Sequence, residues 1–196
     1  MRRMILPAVI WVFAAVALLA GLLLLGVGRW HRPLFEAEAA ATTGDLEAAL
    51  TRYADTEKRF DAFPTIRQFA PDGHSASISN QLAIQYDLER YDDLLDKASS
   101  APSTAATHFW AGCALFAKGR LEAEPEARIG WLTRAEQEFR SALELDGTDW
   151  DTKYNYELTR YILAELRKQP QAPPKQLLQL LRPQPKQGEQ PVKRIG

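Results

Sequence analysis

The chain has 196 residues, 46% of them hydrophobic and 25% charged, which is enough for one domain plus extensions. A formal net charge of −1 hides a division: residues 34–167 carry 14 Lys/Arg against 24 Asp/Glu, whereas residues 168–196 carry six basic groups and one Glu. An acidic body does not suit a phosphate backbone, so nucleic-acid binding is not expected, and the single cysteine, Cys113, excludes an intramolecular disulfide.

Residues 5–27 form an uncharged run. As a helix this run spans about 34 Å, enough to cross a bilayer. Trp11 and Trp30 sit toward its ends, as interfacial aromatics do. A cleaved signal peptide is the rival reading, but the run is too long, and Gly26-Val27-Gly28 is a poor cleavage site. Residues 1–32 therefore read as an uncleaved anchor. Arg2 and Arg3 precede the span, while Arg29, His31 and Arg32 follow it, so the positive-inside rule is nearly balanced. The very short N-terminus favours a cytoplasmic start. This places the rest of the chain on the periplasmic side of a bacterial inner membrane.

Pro33 is expected to open a helix over residues 34–43. Gly44 breaks it, and a second helix covers residues 45–60. Gly44, Leu46, Ala49 and Tyr53 stand at the turn, large, small and aromatic positions of a tetratricopeptide (TPR) hairpin, although any antiparallel helix pair needs a similar alternation. Residues 61–74, with Phe63, Pro64, Phe69, Pro71 and Asp72-Gly73, read as a long linker whose aromatics cover the junction. A second hairpin is expected over residues 75–88 and 90–100, with Leu82, Tyr86, Tyr91, Leu94 and Leu95 facing inward. Its repeat pattern is degraded, because Glu89 stands where glycine is expected and Leu94 where a small residue is.

Ser103 or Thr104 caps the next helix, in which Phe109, Gly112, Leu115 and Gly119 fit a first TPR helix, with Gly119 as its turn. Ala135 lies 16 residues past Gly119, 11 more than an uninterrupted repeat allows. The insertion includes Pro125, so a lengthened helix over residues 125–145 is expected, preceded by an acidic loop around Glu122, Glu124 and Glu126. On it, Ala135, Phe139 and Ala142 make a small–aromatic–small stripe that locks a neighbouring helix around one ring, and Gly147 follows its end. Residues 150–168 form a lone terminal helix capped by Thr148 or Asp149. The whole is an all-α chain: an anchor (1–32), a TPR-like α-hairpin solenoid (33–168) and a disordered basic Pro/Gln-rich tail (169–196). The tail holds six prolines, seven glutamines and a short apolar run at residues 176–181, read either as a docking motif or as packing on the terminal helix.

A search for chemistry finds little. None of His31, His74 and His108 lies near Ser or Asp in a triad pattern, though triads are spatial. His108 and Cys113, five apart, make a poor metal pair. The acidic groups Asp92, Asp93 and Asp96, and Asp146, Asp149 and Asp151, lack an EF-hand pattern and read as helix-dipole and turn residues. No catalytic residue, cofactor or metal ligand is assigned. The better candidate is a concave groove lined by the first helices of the repeats. Its projected residues are Phe109, Cys113, Phe116, Asp151, Tyr154, Asn155, Leu158 and Tyr161, where aromatic rings beside an amide and a carboxylate suit a bound peptide. The same rings also fit a core.

The anchor, the interrupted repeat from Phe109 to Gly147 and the junction W-D-T-K-Y-N-Y-E-L at residues 150–158 together resemble MxaK-type proteins. These are small membrane-anchored proteins encoded beside a MoxR-type ATPase and von Willebrand A proteins, and the chain is also similar to the TPR members of Bat-type clusters. Tyr156, where leucine is commoner, and the degraded second hairpin depart from the pattern. The resemblance implies an accessory role with those partners in maturing a periplasmic methanol dehydrogenase, including its calcium loading. A chaperone delivering calcium or another metal and a structural envelope scaffold are the alternatives.

Overall fold

The apolar run continues into the body without a break. In the computed structural model, which describes residues 2–168, α1 runs Arg2–Thr42. It contains a stretch long and apolar enough to cross a membrane. Phe13, Leu18, Leu19, Leu24 and Leu25 are all exposed along it, an apolar sleeve that no other described residue covers. The expected helix start at Pro33 is not observed, because Pro33 lies inside α1. Its missing N–H removes one helical bond, but the following turns are held from outside. Ala37 and Ala40 are buried against the next helix, and Arg52 donates to the Glu36 carbonyl at 2.7 Å. Trp30 is not a free interfacial ring either: it packs edge-on against Phe60 and Phe63.

A three-residue turn leads to α2 (Leu46–Ala62). Gly44 adopts φ +84°, where an L side chain is strained, and the N–H groups of Gly44 and Asp45 close the end of α1 on the carbonyls of Ala41 and Ala40. Asp45 caps α2 through the Ala48 N–H at 3.1 Å. Ala49 and Tyr53 are buried against Ala37, Ala40 and Ile84.

The expected linker over residues 61–74 is helical instead. It contains α3 (Pro64–Phe69) and the first turn of α4 (Pro71–Asp87). Each proline sits at the start of its helix, where its fixed φ and missing N–H cost nothing. Asp72-Gly73 is therefore no turn. A Cβ on Gly73 would lie 2.8 Å from Phe60 Cζ, so glycine is needed there for close approach of α4 to α2. His74, next in sequence, is buried by the same approach.

α5 (Tyr91–Ser100) follows a tight connection in which Glu89 takes φ 57°, the conformation of the glycine missing from this position. The left-handed region costs an L residue about 1–2 kcal/mol, partly offset by the chain entropy that glycine adds to the unfolded state. Glu89→Gly is therefore expected to stabilise the protein by about 0.5–1 kcal/mol and raise its melting midpoint by about 2 °C. A lowered midpoint would mean that the Glu89 side chain contributes more than the strain removes.

α6 (Ala105–Leu121) is capped by Thr104, whose hydroxyl accepts from the Thr107 N–H at 3.1 Å. It does not end at Gly119 as expected. A Cβ there would lie 2.9 Å from Leu132 Cγ, so this glycine sets a close helix–helix contact rather than a turn. α7 (Pro125–Leu145) and α8 (Trp150–Lys168) have the expected bounds. The connection between α6 and α7 is tied by the Arg128 guanidinium, which donates twice to the Glu122 carbonyl.

Of the described residues 88% are helical and none is in a strand. Their core is three clusters in chain order. The first joins α1, α2 and α4; the second is Ile78, Leu82, Leu94 and Ala114 of α4, α5 and α6; the third is Leu115, Ala135 and Phe139 of α6 and α7, with Tyr156 of α8 against it. α4 and α6 each serve two clusters. The tail at residues 169–196, with the run at 176–181, lies outside the described residues.

Candidate functional site

Gly112, like Gly119, lets α6 approach α7 closely. A Cβ on Gly112 would fall 2.7 Å from the Phe139 ring carbons Cδ1 and Cε1. Ala135, Phe139 and Ala142 are all buried, so the small–aromatic–small stripe is the face α7 turns inward. α8 then packs on α7, and its buried residues are Thr152, Thr159 and Leu163. Its start is fixed by Asp149, whose carboxylate accepts from the N–H groups of Asp151 and Thr152.

This packing divides the projected groove residues. Phe109, Cys113 and Phe116 pack against the third cluster and are only partly exposed. Burial, with a smaller contribution from the nearby Asp151 carboxylate, pushes the Cys113 thiol up to about 12, which leaves it an unreactive thiol at neutral pH. α6 and α8 also touch each other. Asn155 spends its amide on the Asp151 carbonyl at 2.8 Å, and Leu158 is half-buried. Tyr154 and Tyr161 instead point outward at 68% and 66% exposure, and with Trp150 at 78% they make an aromatic stripe along α8. Lys153 lies over the Trp150 ring, 4.7 Å from its centroid. The sequence projection missed Trp150, which shares the Tyr154 face at a spacing of four.

Three of the acidic residues weighed for calcium, Asp92, Asp146 and Asp149, hold other partners. Asp92 accepts from Lys118, and Asp146 accepts from the Thr148 hydroxyl and N–H, bonds that hold its carboxyl below the usual range.

A second arrangement was invisible in the spacing. His108 Nε2 lies 2.7 Å from Ser103 Oγ, and His108 Nδ1 lies 2.7 Å from Glu138 Oε2. That is the order of a nucleophile, a base and an orienting carboxylate. The three line a cleft of about 300 Å³ between α5, α6 and α7. Glu138 and His108 are 30 residues apart and meet only because Gly112 seats Phe139 against α6. The one available signal was that His108 lies one turn before Gly112.

No family model, no curated protein and no solved structure matches the chain.

Proposed function

We propose that this chain is a single-pass adaptor of the bacterial inner membrane, carrying on its periplasmic side a TPR-like helical array that docks protein partners. The exposed Trp150, Tyr154 and Tyr161 stripe carries this reading, since rigid aromatics with a polar handle dominate binding surfaces. The apolar sleeve of α1 supports the anchor, and three clusters linked by shared helices support a repeat-like array. The resemblance to MxaK-type proteins adds the partners: von Willebrand A proteins and a MoxR-type ATPase, in maturation of an envelope enzyme of methanol dehydrogenase type. The basic tail supplies a second, weaker contact, and linking two modest contacts raises effective affinity. The reading assigns the chain no catalysis. Crosslinking of the full-length protein in its membrane, then affinity purification and mass spectrometry, tests it. Recovery of von Willebrand A proteins or a MoxR-type ATPase is expected; recovery of unrelated envelope proteins alone removes those partners from the proposal.

One observation favours a second reading, an acyl-transfer enzyme: the Ser103–His108–Glu138 chain. Ser103 is exposed, and stabilisation of an oxyanion is weakest where water competes, so the adaptor is preferred. The enzyme reading requires a fluorophosphonate probe to label Ser103, with labelling about 100-fold slower in His108→Ala. An unlabelled Ser103 in the folded protein eliminates it.

A further inference from the structure

The cluster Glu57, Asp61 and His74 lies apart from both arrangements, where α2 meets α4 at the foot of α1. Glu57 and Asp61, four residues apart, project from one face of α2. The close approach at Gly73 brings His74 of α4 against them. One ligand-capable atom from each of the three lies within 4.8 Å of the other two. The His74 side chain is only 9% exposed, and its Nε2 faces Asp61 Oδ1 at 3.3 Å. This approach lacks hydrogen-bond geometry, so Nε2 is buried without a partner. An orphaned buried nitrogen facing a carboxylate is costly unless something is placed between them.

From this geometry we infer that Glu57, Asp61 and His74 form a site for a divalent metal ion of the zinc class. Tetrahedral coordination with bonds of about 2.0–2.2 Å sets ligand–ligand edges near 3.4 Å, close to the observed 3.3 Å between His74 and Asp61. Glu57, with an oxygen within 4.8 Å of the other two ligand atoms, closes the third position by a side-chain shift, and water completes the fourth. An imidazole with two carboxylates suits zinc and its transition-metal neighbours, whereas calcium requires six to eight oxygens.

The carboxylates already have competitors. Lys97 and Gln81 donate to Glu57 Oε2, and Arg67 donates to Asp61 Oδ1 at 3.1 Å. Two cations therefore balance two carboxylates, and metal entry displaces Lys97 from Glu57. The site also touches the anchor, because the buried Phe60 ring packs edge-on against both His74 and Trp30. A bound ion would clamp α2 to α4 directly beneath the end of the membrane span.

The test uses full-length protein in detergent, purified without a histidine tag. Zinc binding is measured by calorimetry, and cobalt(II) serves as a spectroscopic probe, since tetrahedral cobalt absorbs far more strongly than octahedral cobalt. One equivalent of zinc and a tetrahedral cobalt spectrum are expected. His74→Gln should weaken binding at least tenfold. Lys97→Gln should tighten it several-fold, an effect that misfolding cannot imitate. Equal zinc affinity in wild type and His74→Gln, or no zinc binding in either wild type or Lys97→Gln, overturns the site. So does calcium binding that matches zinc and is indifferent to His74→Gln.

Discussion

Phe139→Ala is expected to destabilise the protein by about 3–5 kcal/mol, the usual cost of removing a fully enclosed aromatic ring. The ring is 0% exposed and lies among Leu115, Ala135 and Phe109, directly on the backbone of Gly112. At this level α6 and α7 approach closely because residue 112 has no side chain, and the ring fills the space that remains. The complementary change, Gly112→Ala, pushes a methyl to within 2.7 Å of two ring carbons and should cost about 1–3 kcal/mol. The two changes are not independent. Deleting the ring makes room for the methyl, so the double variant should lose about 1 kcal/mol less than the sum of the singles. Thermal unfolding of the full-length protein in detergent, followed by circular dichroism, measures all three. Additive losses of under 1 kcal/mol each would show that the lock does not hold α6 and α7 together.

The paired substitution Tyr154→Ala/Tyr161→Ala is expected to leave folding nearly untouched and to abolish partner capture. Both rings are largely exposed, so each change should alter stability by no more than about 0.5 kcal/mol. At a binding surface the same rings are of the type whose truncation costs about 2 kcal/mol or more each, about 30-fold in affinity. Crosslinked recovery of the partner should therefore fall at least 30-fold while the melting midpoint stays put. Phe109→Ala and Phe116→Ala give the opposite signature, because those rings pack on the third cluster and their loss destabilises the fold. Undiminished recovery with the Tyr154/Tyr161 variant would move the docking surface away from α8.

Helix ends were legible wherever a local cap or stop defined them. Pro125 to Leu145 and Trp150 to Lys168 have the expected bounds, and the need for glycine at position 89 reappears as the φ of Glu89. Expectations failed where proline and glycine carry two meanings. Pro33 interrupts one hydrogen bond, yet α1 continues because Ala37 and Ala40 are buried on α2. Asp72-Gly73 has turn composition, but Phe60 presses on Gly73 and the pair becomes the first turn of α4. Gly119 is likewise a contact glycine, set by Leu132 from a helix that follows it in the chain. In each case the deciding partner is distant in sequence, which no local pattern records.

The sequence by itself determined the helical character of the described residues, the apolar N-terminal segment, the extents of α7 and α8 and the inward stripe of α7, because periodicity, capping and charge-free length are local properties. Only the tertiary structure decided which side chains meet across helices. It sorted the candidate aromatics into the packed Phe109 and Phe116 and the exposed Tyr154 and Tyr161, and it joined Ser103 to His108 and Glu138. It also buried His74 against Glu57 and Asp61. These meetings depend on how far two helix axes approach, and that distance is set at Gly73, Gly112 and Gly119 by rings and branched chains supplied from other helices.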